Sequence, residues 1–351
     1  MILEQLRKHF TDKDKNIDSV LSDIVGQKTT KKQLVSALIM GRHAIIVGPP
    51  GVGKTTLAKN IAKLLPAMIV NDCDFNCSPE QPLCPKCLLA NKKEKKEMKT
   101  KKISGEERFV RVQGSPDLTA EDLLGDIDPI KAMEFGPTSI EAFTPGKIFR
   151  ANNGVLFFDE VNRCPEKLQN ALLQVLSEKK ATIGSHKIDL PANFIFIGTM
   201  NPEDSSTEPL SDVFLDRFDL IYMGYPENTA IEVKIVKESG AKMDVKFPDN
   251  LLEMSVHFVR MLREDKKLEK KPSVRAAIGL YERAQSNAFL DGRKVVTFND
   301  VAEAVVSVIS HRVRMVPSAR YLQNPTEYVK EEFKRFTSDY DEHIREKGGE
   351  G

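Results

Sequence analysis

The run Gly48-Pro-Pro-Gly-Val-Gly-Lys-Thr55 fits G-x-x-x-x-G-K-[ST], the pattern of a phosphate-binding loop. Before it stands Ala44-Ile-Ile-Val47, a short apolar, β-branched run that reads as a buried strand. After it, Leu57, Ala58, Ile61, Ala62 and Leu65 recur at helical spacing, and Pro66 stops the helix. A chance glycine-rich turn would lack this strand–loop–helix setting. The chemistry explains the residue types. Gly48, Gly51 and Gly53 tolerate positive φ, so successive backbone N–H groups can turn inward around a phosphate. The helix N-terminus adds its dipole. Lys54 supplies a point charge for β- and γ-phosphates, and the Thr55 hydroxyl suits Mg²⁺. Pro49, Pro50, Val52 and Thr56 complete the expected ATP-binding stretch.

The chain has 351 residues, enough for two or three modest domains. Its 52 Lys plus Arg nearly balance 51 Asp plus Glu, so no global charge draws it to nucleic acid or an anionic membrane. No apolar stretch approaches the ~20 residues of a membrane span. The start, Met1-Ile-Leu-Glu-Gln-Leu-Arg-Lys8, places charges inside its apolar pattern and does not read as a signal peptide. A cytoplasmic protein is expected. Five cysteines, four of them crowded together, then point to metal or free thiols rather than disulfides.

Residues 1–21 read as a short helix and linker. A nucleotide-binding core is expected over 22–226, opening on Asp23-Ile-Val-Gly-Gln27 and a helix with Leu34, Leu38 and Ile39 on one face. Residues 71–108 interrupt the αβ rhythm with a cysteine- and lysine-rich stretch, read as a surface insertion. Thr119-Ala-Glu-Asp122 reads as a capping box. Residues 126–149 read as a hairpin-like excursion around Glu134–Ser139. Gly154-Val-Leu-Phe-Phe-Asp-Glu160 is a buried strand that delivers two carboxylates at its C-terminal end, the edge that faces ligand in open α/β sheets. Asp159 suits Mg²⁺, and Glu160 suits polarising an attacking water. Leu168, Ala171, Leu172, Val175 and Leu176 form a core-facing helical stripe. Residues 177–193 hold a second hairpin, with its turn at Gly184-Ser185. Phe194–Gly198 is another buried strand. Residues 227–316 carry helical periodicity, with Thr297 or Asn299 as a helix cap. Residues 317–351 read as a charged tail with a frayed end.

The order of these motifs resembles an AAA+ module: Gly48–Thr55, Asp159-Glu160, Asn201, then Asp216-Arg217-Phe218. The two excursions resemble the helix-2-insert clade of that family. Within it the chain is most similar to the magnesium-chelatase ATPase I subunit and the MoxR ATPases. The stretches that carry the likeness are Arg111-Val-Gln-Gly, Asp122–Asp128, Phe143-Thr-Pro-Gly146, Ala151-Asn-Asn-Gly154, Asn201-Pro-Glu, Leu215-Asp-Arg-Phe218 and His311-Arg312, and it covers about residues 20–316. The resemblance implies a doubly wound, parallel-sheet P-loop core followed by a smaller all-helical lid. It implies a homo-oligomeric ring, hexameric in that family, that hydrolyses ATP with Mg²⁺ to remodel a partner or to serve metal chelation. Val25, Gly26 and Gln27 match the adenine-side entry, Asn201 the residue that orients the lytic water, Arg217 the arginine finger and Arg275 the second sensor. A partner carrying a von Willebrand A domain is implied too. Plainer roles are a turn cap for Asn201 and a solvated helix charge for Arg275.

Cys73-x3-Cys77-x6-Cys84-x2-Cys87 places four thiols within fifteen residues. Cys84-Pro-Lys-Cys87 is a knuckle that can aim two thiolates at one ion, so a Cys₄ zinc site is the favoured reading. An iron–sulfur cluster or metal-free thiols are the alternatives. The rival function is a nucleic-acid-dependent motor related to the MCM helicases, drawn from the same clade. Lysines within 92–102, with Lys179, Lys180 and Lys187, speak for it. Interleaved Glu94 and Glu97, and the lack of any recognisable nucleic-acid-binding module, speak against it.

Overall fold

Runs of branched and aromatic residues with no charge inside them pair into one parallel sheet, buried on both faces. The structure, a computed structural model, describes residues 2–10, 16–82, 84, 86–88, 90, 98–136, 139–182, 189–202, 210–321 and 323–348. The chain divides into two compact units, Met1–Pro49 with Gly53–Met223, and Gly224–Gly351 with Pro50–Val52.

The first unit opens with α1 (Ile2–Phe10), α2 (Lys28–Ile39), β1 (His43–Val47) and α3 (Lys54–Lys63). There follow β2 (Met68–Asn71), β3 (Thr100–Ile103), β4 (Phe109–Gln113), α4 (Ala120–Leu124), β5 (Gly125–Ile127), α5 (Pro129–Phe135) and β6 (Phe143–Pro145). It closes with β7 (Val155–Asp159), α6 (Glu166–Glu178), β8 (Lys180–Thr182), β9 (Asp189–Pro191), β10 (Ile195–Met200) and β11 (Phe218–Tyr222). The central sheet runs β11-β1-β10-β7-β4 with every pair parallel. Its register sets Val47 beside Met200, Gly198 beside Phe158, and Asp159 beside Gln113. The C-terminal ends of four strands therefore meet at one edge. Ala44–Val47 and Val155–Phe158 are buried throughout, as strands covered on both faces require. Leu57, Ala58, Ile61 and Ala62 form the buried face of α3.

The Thr119–Asp122 capping box forms and starts α4. β5 and β6 pair antiparallel, Ile127 opposite Phe143, with α5 between them. β8 and β9 also pair antiparallel, while the expected turn at Gly184-Ser185, with Lys187, lies outside the described residues. The stretch 71–108 differs from a simple surface insertion. β2 and β3 pair antiparallel, and Lys99, Lys101 and Lys102 are exposed. The cysteine end, however, is buried in the core, because Phe75 packs on Phe149 and Phe143 at centroid distances of 5.1 and 6.4 Å.

The second unit comprises α7 (Thr229–Ser239), α8 (Asp249–Glu264), β12 (Leu268–Lys270), α9 (Val274–Leu290), α10 (Phe298–Ile309), β13 (Arg314–Met315) and α11 (Pro325–Gly348). Thr297 caps α10 through a box with Asp300. Buried Glu232 receives a two-pronged bond from Arg263 at 2.6 and 2.7 Å, and Arg263 lies over the Tyr225 ring. The expected charged tail over 317–351 is corrected here. Tyr328, Val329, Phe333 and Phe336 form a stripe on α11 and enter the core of the second unit. At about 1.5–3 kcal/mol for each large apolar side chain buried, this face outweighs the surrounding charge.

His43 opens β1, and its Nδ1 accepts the backbone N–H of Phe196 at 3.2 Å. Burial, with the positive Lys179 nearby, pulls its pKa down to about 4. The unfolded ring titrates near 6.5, so between those values only the unfolded chain takes up the proton. Stability therefore falls as pH drops, by on the order of 2 kcal/mol from this group between pH 7 and pH 5. His43→Asn, which keeps an acceptor but not the titration, should flatten that part of a melting-temperature profile.

Candidate functional site

Gly48 leaves β1 and donates its N–H to the Met200 carbonyl at 3.1 Å. Only glycine fits there, since a Cβ would lie 2.0 Å from the Met223 carbonyl oxygen. Gly51 and Gly53 take φ of +75° and +103°, which a side chain resists. Lys54 then starts α3, and its ammonium arches back to the carbonyls of Gly48 and Pro49 at 2.5 and 2.8 Å. That holds a positive charge beside the N–H groups at the helix start, a ready anion site. Thr55 follows, half-buried, and Thr56 is exposed.

The segment ahead of α2 is fixed beside this loop. Asp23 accepts from Asn60 at 3.2 Å and from Lys63 at 2.7 Å, both on α3. Ile24 reaches to within 3.1 Å of where a Cβ on Gly53 would stand. Gly26 and Gln27 turn through left-handed φ of 70° and 56°, and Thr30 bonds both Gln27 and the carbonyl of Tyr222. Val25, Gly26 and Gln27 thus sit at the turn that enters α2.

Asp159 and Glu160 stand at the end of β7, next to β10. One Asp159 oxygen accepts from the Thr199 hydroxyl at 2.6 Å and the other from Arg111 at 2.6 Å. Each oxygen retains a second lone pair, so a cation can still be met. Glu160 holds φ 55°, an uncommon conformation for a non-glycine residue that costs about 1–3 kcal/mol. Its N–H donates to Thr199 at 2.9 Å, and its carboxylate accepts from Gln113 at 3.0 Å and pairs with Arg163 at 3.3 Å. Gly114 donates to the Asp159 carbonyl at 2.7 Å, and a Cβ on it would strike the Glu160 carbonyl oxygen at 2.0 Å.

Arg111, Gln113, Gly114, Arg163 and Thr199 carry no assignment from motif reading. Arg111 and Gln113 lie in a stretch that carries the family likeness, but their role as alternate residues of β4 facing the carboxylates emerges only with its pairing to β7. Asn201 follows β10 at the same edge, and its carbonyl accepts from Asn162 at 3.4 Å. Arg217 is exposed and donates to Ser177 at 3.2 Å and to the Val213 carbonyl at 2.7 Å, while Asp219 pairs with Arg42. Arg275 is exposed on the first turn of α9, in the second unit. The loop, the carboxylate pair and Asn201 share one sheet edge; Cys73, Cys77, Cys84 and Cys87 lie apart in a buried pocket, their sulfurs within 4.8 Å of one another. Hydrogen bonds from Cys77 and Cys84 hold the Cys73 thiol far below its ordinary range. Cys164 is buried, and burial pushes its thiol up to about 12.

A glycine loop between strand and helix, with an acidic pair ending another parallel strand of the same sheet, defines a P-loop nucleotide-binding protein. The family "ATPase family associated with various cellular activities (AAA)" matches residues 90–220, the AAA lid domain 261–332, and magnesium chelatase, subunit ChlI, 20–76. The magnesium-chelatase subunit ChlI homolog of Methanocaldococcus jannaschii is 31% identical, over 84% of this chain and 85% of that protein. The chloroplastic magnesium-chelatase subunit ChlI-2 of Arabidopsis thaliana is 29% identical, over 84% and 75%. Among solved structures, the complex between subunits BchI and BchD of magnesium chelatase aligns at TM-score 0.47 and 21% identity, over 86% of this chain and 98% of that one. The chain belongs to the AAA+ ATPases and is homologous to the magnesium-chelatase ChlI subunits. It is an ATPase, for which ATP and Mg²⁺ are the family's requirements. No helix among the described residues is long and apolar enough to cross a membrane.

Gly114→Ala should displace the Asp159–Glu160 corner and cost about 1–3 kcal/mol, as overpacking does. Gly224→Ala, whose methyl would meet open space, is the neutral control. Denaturation midpoints of the two variants check this.

Proposed function

We propose that this chain assembles into a homo-oligomeric, hexameric ring and hydrolyses ATP to ADP and phosphate to drive work on a partner protein, of the remodelling or metal-chelatase kind. The observation that carries this reading is the shared sheet edge, where Lys54 and the glycine loop follow β1 and Asp159-Glu160 end β7, with only β10 between the two strands. Thr55 and Asp159 offer hard oxygen ligands that fit Mg²⁺. When bound there, Mg²⁺ neutralises charge on the phosphate oxygens. Lys54 would move from its loop carbonyls to the β- and γ-phosphates. Glu160, fixed by its own backbone turn, would polarise the attacking water, with Asn201 orienting that water. Val25, Gly26 and Gln27 would border the adenine, and Arg275 would act as the lid's sensor. A partner with a von Willebrand A domain fits the same reading. The cytoplasm is the proposed location, since Cys73, Cys77, Cys84, Cys87 and Cys164 form no disulfide. One Zn²⁺ in the cysteine pocket completes the cofactor set.

Arg217 is proposed to serve the neighbouring subunit. Its bonds to Ser177 and Val213 leave it exposed rather than locked to Asp216 or Asp219. Guanidinium binds phosphate oxygens as a permanently charged fork.

Three variants test this assignment. Lys54→Ala should weaken ATP binding by about 10–100-fold or more, the worth of charge-assisted bonds at about 1.5–3 kcal/mol each. Calorimetric titration reads it, and unchanged affinity would contradict the site. Glu160→Gln should bind ATP normally and hydrolyse it slowly; turnover at the wild-type rate would remove Glu160 from the role of base. Arg217→Ala should fold, bind ATP and lose ~10³-fold or more in turnover. Mixing it with Lys54→Ala protein should restore part of the activity, because some interfaces then pair an intact Lys54 site with an intact Arg217. Mixed rings of confirmed size that stay inactive would place Arg217's action within its own chain.

A further inference from the structure

The cysteine pocket has the form of a closed site for one ion. Cys73, Cys77, Cys84 and Cys87 are each 7% exposed or less, and no carboxylate or imidazole joins the set among the described residues. Four thiolates around a single Zn²⁺ at about 2.3 Å stand about 3.8 Å apart. The sulfurs here all lie within 4.8 Å of one another before any ion draws them in. An iron–sulfur cluster spreads its thiolates over more than one iron and needs a wider spacing. The all-sulfur donor set selects a soft or borderline metal over Mg²⁺ or Ca²⁺.

Donors already point at the sulfurs. The Cys84 N–H donates to Cys77 Sγ at 3.2 Å, the Cys87 N–H to Cys84 Sγ at 3.3 Å, and the Asn71 amide to Cys87 Sγ at 3.4 Å. Such outer contacts orient metal ligands and offset their charge.

The same loop clasps the turn that launches β7. The Asn152 amide donates to the Phe75 carbonyl at 3.0 Å, the Asn76 amide to the Arg150 carbonyl at 3.0 Å, and the Asn153 amide to the Asn76 carbonyl at 3.4 Å. Asn76 and Asn153 both sit at left-handed φ, 46° and 59°. Two left-handed turns, in a conformation that asparagine accepts more readily than other side chains, thus hold each other, with Phe75 packed on Phe149. Five residues beyond Gly154 stands Asp159.

We infer that the four thiolates bind one structural Zn²⁺ with no open coordination position, and that the ion bolts the 72–77 loop onto the 149–154 turn. The inference rests on the zinc reading above and adds the ion's role. Zinc removal leaves the chain's other contacts in place but frees the loop, so the 149–158 backbone opens more often.

The experiment uses the full chain purified anaerobically. Elemental analysis should give one zinc per chain, and Co²⁺ exchanged into the site should show the intense absorption of a tetrahedral cobalt–thiolate centre. Hydrogen exchange is then compared with and without a chelator. Residues 149–158 should exchange at least tenfold faster without metal, while α9 in the second unit stays unchanged. Iron with sulfide, or no stoichiometric metal, would overturn the zinc reading. Stoichiometric zinc whose removal leaves exchange at 149–158 unchanged would overturn the clasp alone. Cys84→Ser should reproduce the metal-free pattern, and if that variant does not fold, the chelated wild-type chain still decides. None of these readouts depends on ATP turnover.

Discussion

Two adjacent carboxylates at the end of an apolar parallel strand must find donors, because partly buried charge without partners is costly. Asp159 and Glu160 find theirs on both flanking strands and on their own turn: Thr199 from β10, Arg111 and Gln113 from β4, Arg163 three residues on. This network dictates much else. It requires β4 to lie beside β7 rather than beside β1. It requires glycine at position 114, where a Cβ would stand 2.0 Å from the Glu160 carbonyl oxygen. It also holds Glu160 in a left-handed turn that an unsupported glutamate would leave. Lys54 is treated similarly on the next strand but one, its charge satisfied by two loop carbonyls. Both charged groups are therefore held in place by bonds that a phosphate or a cation can exchange for its own.

The opposite end of β7 is governed by shape. Its launching turn, residues 149–154, is built from Asn152 and Asn153, and these side chains answer carbonyls on the cysteine loop. Arg108, buried between them and the Pro66 carbonyl, donates to Asn153 at 2.7 Å and to Pro66 at 2.7 Å. A buried guanidinium with carbonyl partners ties the chain before β4 to the chain before β7. The insertion is thus joined to the core by its cysteine end, while its lysine-bearing strand remains in water.

Much of this protein was legible from local pattern. The phosphate loop needs glycines at fixed positions, a lysine and a hydroxyl, all consecutive, so the string Gly48–Thr55 contains the whole unit. Strands buried on both faces appear as unbroken apolar runs, so Ala44–Val47, Val155–Phe158 and Phe194–Gly198 could be read directly, as could the capping box at Thr119 and a helix cap at Thr297 or Asn299. Cysteine spacing was equally visible, and so was the likeness of the motif order to AAA+ ATPases.

What tertiary structure alone decided depends on partners distant in the chain. Arg111 and Gln113 stand in a stretch that carries the family likeness, but they gain a role only when parallel pairing sets Gln113 beside Asp159, forty-six positions later. Thr199 matters because β10 lies between β1 and β7, an order no local pattern encodes. Residues 317–351 looked like a charged tail because charged residues are frequent there. Tyr328, Val329, Phe333 and Phe336 form a stripe only on a helix, and they are buried because α8 and α10 leave a face for them. The cysteine segment looked like surface because of its lysines, and its burial became visible only with Phe75 against Phe149. Local sequence determines conformation through backbone sterics and period; which polar groups meet is determined by strand order, since hydrogen bonds act over about 3 Å and take no account of distance along the chain.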